Sequence, residues 1–126
     1  LKWASSNAEY VVSISKISHV YPFSRLNVEY IKEIFEYLVS KGYAKWRNDT
    51  SIRIFWKSME ELADELYNFA IRIGMLELTP YTILSEGPKE LQKLPPEELP
   101  VLLEILVKKG KARWIKRKLA IQLILP

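Results

Sequence analysis

The sequence predicts an α+β chain, mainly helical, made of two small modules with the same internal grammar. Three observations carry this reading. Lys41-Gly42-Tyr43-Ala44-Lys45-Trp46 and Lys109-Gly110-Lys111-Ala112-Arg113-Trp114 share the pattern K-G-x-A-[KR]-W at an offset of 68 residues. Each copy follows an apolar stretch of helical period and precedes a strand-like alternating one. Between the copies, Ile52, Ile54 and Trp56 alternate with Arg53 and Phe55, the period of a strand with one buried face. At Ser58 that period gives way to a helical one with almost no linker, which places a module boundary between residues 1–56 and 57–126.

The elements follow in order. Trp3, Asn7, Tyr10, Val11, Ile14 and Ile17 recur at helical spacing and predict a helix over 3–18. His19-Val20-Tyr21-Pro22-Phe23 breaks it, since Pro22 cannot continue a helix. Asn27 caps a helix over 28–41 with Val28, Ile31, Ile34, Phe35 and Leu38 on its apolar stripe, and Gly42 ends it. A hairpin follows over 43–56, turned at Asn48-Asp49. Ser58-Met59-Glu60-Glu61 has the form of a capping box, the serine accepting from the N3 amide while Glu61 reaches back. It opens a helix over 58–74 with Leu62, Leu66, Phe69, Ala70 and Ile73 inside, and Glu60, Glu61, Asp64, Glu65 and Arg72 outside. Thr79-Pro80 starts a short helix that ends at Gly87. Leu94-Pro95-Pro96-Glu97-Glu98 leads into a helix over 97–109 that buries Leu99, Leu102, Leu103 and Leu106, and a second hairpin covers 112–125. Helix, short helix, helix and two-stranded hairpin is the winged-helix arrangement: two in tandem, each a three-helix core with a hairpin wing.

Composition sets outer bounds. With 126 residues, 48% of them hydrophobic, four Trp and seven Tyr, the chain has enough apolar mass for one ordinary core or two minimal ones. The absence of cysteine excludes disulfides and thiolate or Cys-zinc chemistry. No apolar run approaches the roughly 20 residues that span a bilayer, and no signal-peptide pattern is present. The start at Leu1, without methionine, reads as a trimmed first module. The formal net charge of +4 conceals an asymmetry: residues 1–57 carry +4, residues 58–107 carry −7 and residues 108–126 carry +7.

Catalytic signals are sparse. His19 is the only histidine and lies at a predicted helix end, so a structural or exposed role outweighs a catalytic one. One histidine without cysteine makes a zinc site improbable, and no phosphate-cradling glycine motif occurs. The expectation is a protein that is not an enzyme, with no cofactor and no metal.

Winged helices bring nucleic acid to mind first, because their third helix commonly enters the major groove. Here the outer face of 28–41 presents Glu29, Glu33 and Glu36 against Lys32 and Lys41, and the last helix opens on Glu97 and Glu98. Carboxylates there repel phosphate. The second wing differs: Lys108, Lys109, Lys111, Arg113, Lys116, Arg117 and Lys118 place seven cations in eleven residues. This basic wing, with Lys116, Arg117 and Lys118 at its turn, suits a weak contact with an anionic membrane or nucleic acid, or a plain solvated hairpin. Val101 and Ile105 widen the apolar arc of the last helix beyond its leucines, marking them as inter-module packing or part of a partner site.

Several stretches together resemble a known family. They are Leu26-Asn27-Val28-Glu29-Tyr30-Ile31, Phe55-Trp56-Lys57-Ser58-Met59-Glu60, Leu66-Tyr67-Asn68-Phe69, Thr79-Pro80-Tyr81-Thr82-Ile83-Leu84-Ser85-Glu86-Gly87 and Leu94-Pro95-Pro96-Glu97. In order and spacing they resemble the vacuolar protein sorting-associated protein 25 family, ESCRT-II subunits built of two winged helices. The compactness of the chain suits an archaeal relative of the eukaryotic subunit. The resemblance implies a non-enzymatic adaptor, cytoplasmic and peripheral to endosomal or equivalent membranes. Its first module would bind other ESCRT-II subunits. Its second would bind an ESCRT-III subunit, whose N-terminal helix is strongly basic. Glu60, Glu61, Asp64, Glu65, Val101 and Ile105 are the expected protein-binding residues. The competing reading is a tandem winged-helix transcription regulator that uses the basic wing on nucleic acid.

Overall fold

A computed structural model describes residues 1–20, 23–117 and 119–126. The chain divides into two compact units, Leu1–Trp56 and Lys57–Pro126. The break expected at Tyr21-Pro22, and Lys118 of the basic wing, lie outside the described residues.

The first unit corrects the helix expected over 3–18. That stretch forms α1 (Lys2–Ser6), strand β1 (Val11–Ser13) and a single-turn α2 (Ile14–Ile17). Ala8 takes a positive φ of 52°, which turns the chain out of α1. Tyr10, Val12 and Ile14 are then buried alternately, a strand period that the helical series had masked. Ser13 caps α2 by accepting from the Lys16 amide. A 3₁₀ turn at Phe23–Arg25 leads to α3 (Val28–Ser40), where Asn27 accepts from the Tyr30 amide at 2.8 Å. Strands β2 (Ala44–Asn48) and β3 (Ser51–Ile54) complete an antiparallel sheet of order β1-β3-β2. The sheet therefore has three strands, one more than the hairpin alone.

β3 is paired along both edges, and side chains cover both of its faces, so Arg53 is buried where alternation put it outside. Its guanidinium lies over the rings of Tyr10 and Phe55, at 5.2 and 4.9 Å, and donates to the Ile54 carbonyl. The rest of this core is mainly aliphatic, with Val12, Ile14, Ile17, Ile31, Ile52 and Ile54 buried around Phe35, and aromatic rings pack against it from its margin. Tyr10 stacks on Trp56 at 5.0 Å, Trp3 meets Phe23 edge-on at 5.5 Å, and Phe35 packs on Trp46 at 6.1 Å.

The second unit repeats the plan with longer first and second helices and a shorter third. Ser58 caps α4 (Met59–Ile73) by accepting from the Glu61 amide, and its hydroxyl donates to the Glu61 carboxylate. Glu61 thus reaches back to the serine side chain. The face of α4 is also shifted: Leu62, Ala63, Leu66, Tyr67 and Ala70 are buried, Phe69 is half-buried and Ile73 is exposed. The two-residue β4 (Glu77–Leu78) precedes α5 (Pro80–Glu86), which has a full capping box between Thr79 and Thr82. After a 3₁₀ turn at Leu91–Lys93, a second one at Pro96–Glu98 replaces the expected first turn of the last helix, and α6 runs Leu99–Lys108. Pro100, in the first turn of α6, lacks the amide that turn can spare. Strands β5 (Ala112–Lys116) and β6 (Ala120–Leu123) form a sheet of order β4-β6-β5, the same topology as in the first unit.

The 68-residue offset holds in three dimensions. α3 ends at Ser40 and α6 at Lys108, and β2 covers 44–48 where β5 covers 112–116. Gly42 and Gly110 follow the two helices with φ of 79° and 75°, a left-handed corner that costs a glycine nothing. Both wings carry a register shift at the same point, between Trp46 and Asn48 and between Trp114 and Lys116. Past the shift they diverge, since two residues join β2 to β3 and three join β5 to β6.

Candidate functional site

Among the described residues no group of His, Cys, Asp and Glu is placed to hold a metal, and His19 is exposed in a turn. The candidate site is a surface of the second unit, where the described residues singled out in the sequence lie on α4, on α6 and at the end of β5 and its turn.

Glu60 and Glu61 are exposed on the first turn of α4, a position where carboxylates favour the helix dipole. One turn on, Asp64 and Glu65 are engaged by lysines. Asp64 Oδ1 accepts from Lys111 at 3.1 Å and Lys109 at 3.3 Å. The Lys111 hydrogen bond, with Lys109 behind it, holds the Asp64 carboxyl below the usual carboxylate range. Lys57 Nζ lies 2.6 Å from Glu65 and 3.0 Å from Glu90. Partial burial works against the Lys57 charge, but the hydrogen bonds to Glu65 and Glu90 outweigh it and raise its pKa. Half of the predicted acidic face is thus consumed inside the unit, and among the described residues Glu60 and Glu61 are the carboxylates of that face without a cationic partner.

Val101 is 42% exposed and Ile105 is half-buried, while Leu99, Leu102, Leu103 and Leu106 of the same helix are fully buried. The four inner leucines close the core, which leaves Val101 and Ile105 on an outer stripe. Residues four apart share a helix face, so that stripe continues to Lys109, which is tied to Asp64. The apolar stripe and the acidic helix are joined at that ion pair. Beside Glu65 a shallow groove is lined by Asn68, Phe69, Arg72 and Pro88, with the Arg72 guanidinium 5.6 Å above the Phe69 ring.

Lys116 and Arg117 are exposed at the end of β5 and in its turn, apart from the α6 stripe in the chain. Sequence reasoning missed their neighbours. Ile115 is 53% exposed and Leu119 52% exposed, so the wing tip is apolar as well as basic. It also missed Lys57, Lys109 and Lys111 as clamps, since their carboxylate partners Glu90 and Asp64 are 33 to 47 residues away. In the first unit, α3 exposes Val28, Tyr30 and Tyr37 among its glutamates, and only Ile31 and Phe35 of its predicted stripe are fully inside. The amphipathic period could have flagged Tyr30 and Tyr37, which stand outside it.

Comparison with known proteins places this geometry. A family model described as ESCRT-II complex subunit matches residues 23–92, more than half of the chain. The crystal structure of subunit VPS25 of the endosomal trafficking complex ESCRT-II matches with a TM-score of 0.62 and 18% identity, over 97% of this chain and 81% of that one. At that identity the likeness speaks to fold, and it bears out the α+β tandem winged-helix reading. No curated protein sequence gives a significant match.

Proposed function

The chain belongs to the family of ESCRT-II complex subunits, non-enzymatic components of that complex, and from this premise we propose that it works as an adaptor with its two units facing different partners. The first unit binds other ESCRT-II subunits, and the second binds the basic N-terminal helix of an ESCRT-III subunit, in membrane remodelling and protein sorting. The protein acts from the cytoplasm, peripheral to endosomal or equivalent membranes. No helix among the described residues is long and apolar enough to cross a bilayer.

The observation that carries the second-unit assignment is the uncovered stripe of α6. Val101 is exposed and Ile105 half-buried beside a core already closed by four leucines, and on the acidic helix next to it Glu60 and Glu61 have no cationic partner among the described residues. Desolvated apolar anchors supply most interface affinity, and rim carboxylates steer a cationic partner. The test uses the full chain and a synthetic ESCRT-III N-terminal helix. Val101→Ala with Ile105→Ala should speed dissociation, and Glu60→Lys with Glu61→Lys should slow association and flatten its salt dependence. Unchanged binding in both variants would overturn the assignment.

The nucleic-acid reading rests on the basic wing alone. Against it, the exposed face of α3 presents Glu29, Glu33 and Glu36, and α6 exposes Glu104. Duplex DNA should accordingly bind weakly and without sequence preference at physiological salt. Tight, sequence-selective binding that depends on Lys32 or Lys41 would reverse the ranking.

A further inference from the structure

The tip of the second wing joins exposed aliphatic side chains to its cations, a combination that the first wing lacks. In β5 the register passes from Trp114↔Ile121 to Lys116↔Ala120, so Ile115 is the unpaired extra residue of a bulge. Bulges bend a strand and re-aim the side chain they leave unpaired. Here that side chain is apolar and more than half exposed, and Leu119 across the turn is equally exposed. Lys116 and Arg117 lie between them, exposed and without an ion-pair partner among the described residues. Lys118 adds a further cation to the sequence of the turn. The matching bulge of the first wing holds Arg47, and its turn is polar: the Asn48 carboxamide oxygen accepts from the Thr50 amide, the Thr50 hydroxyl and the Ser51 hydroxyl.

We propose that the second wing tip is a membrane contact, with Ile115 and Leu119 entering the interface of an anionic bilayer while Lys116 and Arg117 meet its headgroup phosphates. Charge complementarity selects an anionic surface, and the two aliphatic side chains select a bilayer over a nucleic acid. A phosphodiester backbone rewards the cations but offers Ile115 and Leu119 nothing, whereas an acyl interface rewards both. So few cations and apolar groups give a weak, reversible contact, suited to a protein held at the membrane by other means as well. The proposed protein contacts do not need this tip, so its failure would leave the adaptor role standing.

The test is co-sedimentation of the full chain with phosphatidylcholine vesicles, with and without phosphatidylserine, at low and high salt. Binding should require phosphatidylserine and fall with salt. Lys116→Ser and Arg117→Ser should each weaken it about fivefold. Ile115→Ser with Leu119→Ser should remove most of it, and Lys45→Ser in the first wing should change it little. Circular dichroism checks that the folds are intact, as expected for exposed positions. No binding, or equal binding to neutral vesicles, would overturn the proposal. So would vesicle binding that is indifferent to Ile115→Ser with Leu119→Ser and is competed away by duplex DNA, the mark of a generic polyanion site.

Discussion

The two units share a topology, yet they close their cores by different means. The 68-residue offset pairs Ile31, Ile34, Phe35 and Leu38 of α3 with Leu99, Leu102, Leu103 and Leu106 of α6. All four leucines are fully buried, whereas Ile34 and Leu38 are only half-buried. They line, with Trp3, Phe23 and Phe35, a cavity of about 100 Å³ in the first unit. The third helix of the second unit buries all four leucines, and that of the first leaves a gap edged by Trp3, Phe23 and Phe35. The same backbone plan thus accepts either filling. What it demands is the fixed corner and strand that follow the third helix, which is where the sequences repeat.

Replacing one filling residue in each unit tests this contrast most strongly. Leu103→Ala should destabilise the second unit by about 2–5 kcal/mol, and Ile34→Ala the first by only about 1–2 kcal/mol. Urea unfolding followed through amide signals assigned to each unit would separate the two. Equal losses would mean that the cavity beside Ile34 is better packed than its geometry indicates. The glycine corners should, by contrast, behave alike. Gly42→Ala and Gly110→Ala meet no neighbouring atom, so each should cost only the left-handed backbone penalty of about 1–2 kcal/mol. A marked difference between them would break the equivalence of the two corners.

Smaller effects lie at the surfaces. Asn48→Ala removes the acceptor that organises the first turn and should cost about 1 kcal/mol, read from the same unfolding curves. The second turn has no such acceptor to lose. The smallest change concerns Asp64, whose lowered folded-state pKa favours the native state only while the carboxyl is ionised. That contribution is complete above the ordinary value of 3.8 and disappears as pH falls through the lower folded value. Because the pair is largely solvated, Asp64→Asn should cost well under about 1 kcal/mol near neutrality. Its unfolding curves should converge on those of the parent chain at strongly acid pH.

Much of this architecture was legible in the sequence, for local reasons. Caps at Asn27, Ser58 and Thr79 and glycines after α3 and α6 act within one turn of the chain, so they announce themselves. The first strand of each sheet did not. Val11–Ser13 sits inside a series that also fits a helix, and Glu77–Leu78 is too short to show a period. Both exist because a distant central strand offers hydrogen bonds, which no local window records. Arg53 departs from the pattern for a different tertiary reason: alternation assumes one wet face, and here the rings of Tyr10 and Phe55 cover it. In the candidate site, helical spacing located the outer carboxylates and the Val101–Ile105 stripe. The lysines that neutralise Asp64 and Glu65 depend on tertiary placement.

The shared bulge carries a consequence for how such a chain diversifies. On its near side, Ala44 and Trp46 in one wing and Ala112 and Trp114 in the other are in register with the central strand. On its far side the loops already differ by one residue, with no change in the ladder behind them. Beyond the bulge the two wings differ in length, charge and greasiness, and the pairing on its near side is the same in both. The wing tip is thus the place where binding chemistry can differ between the two units at no cost to the ladder they share.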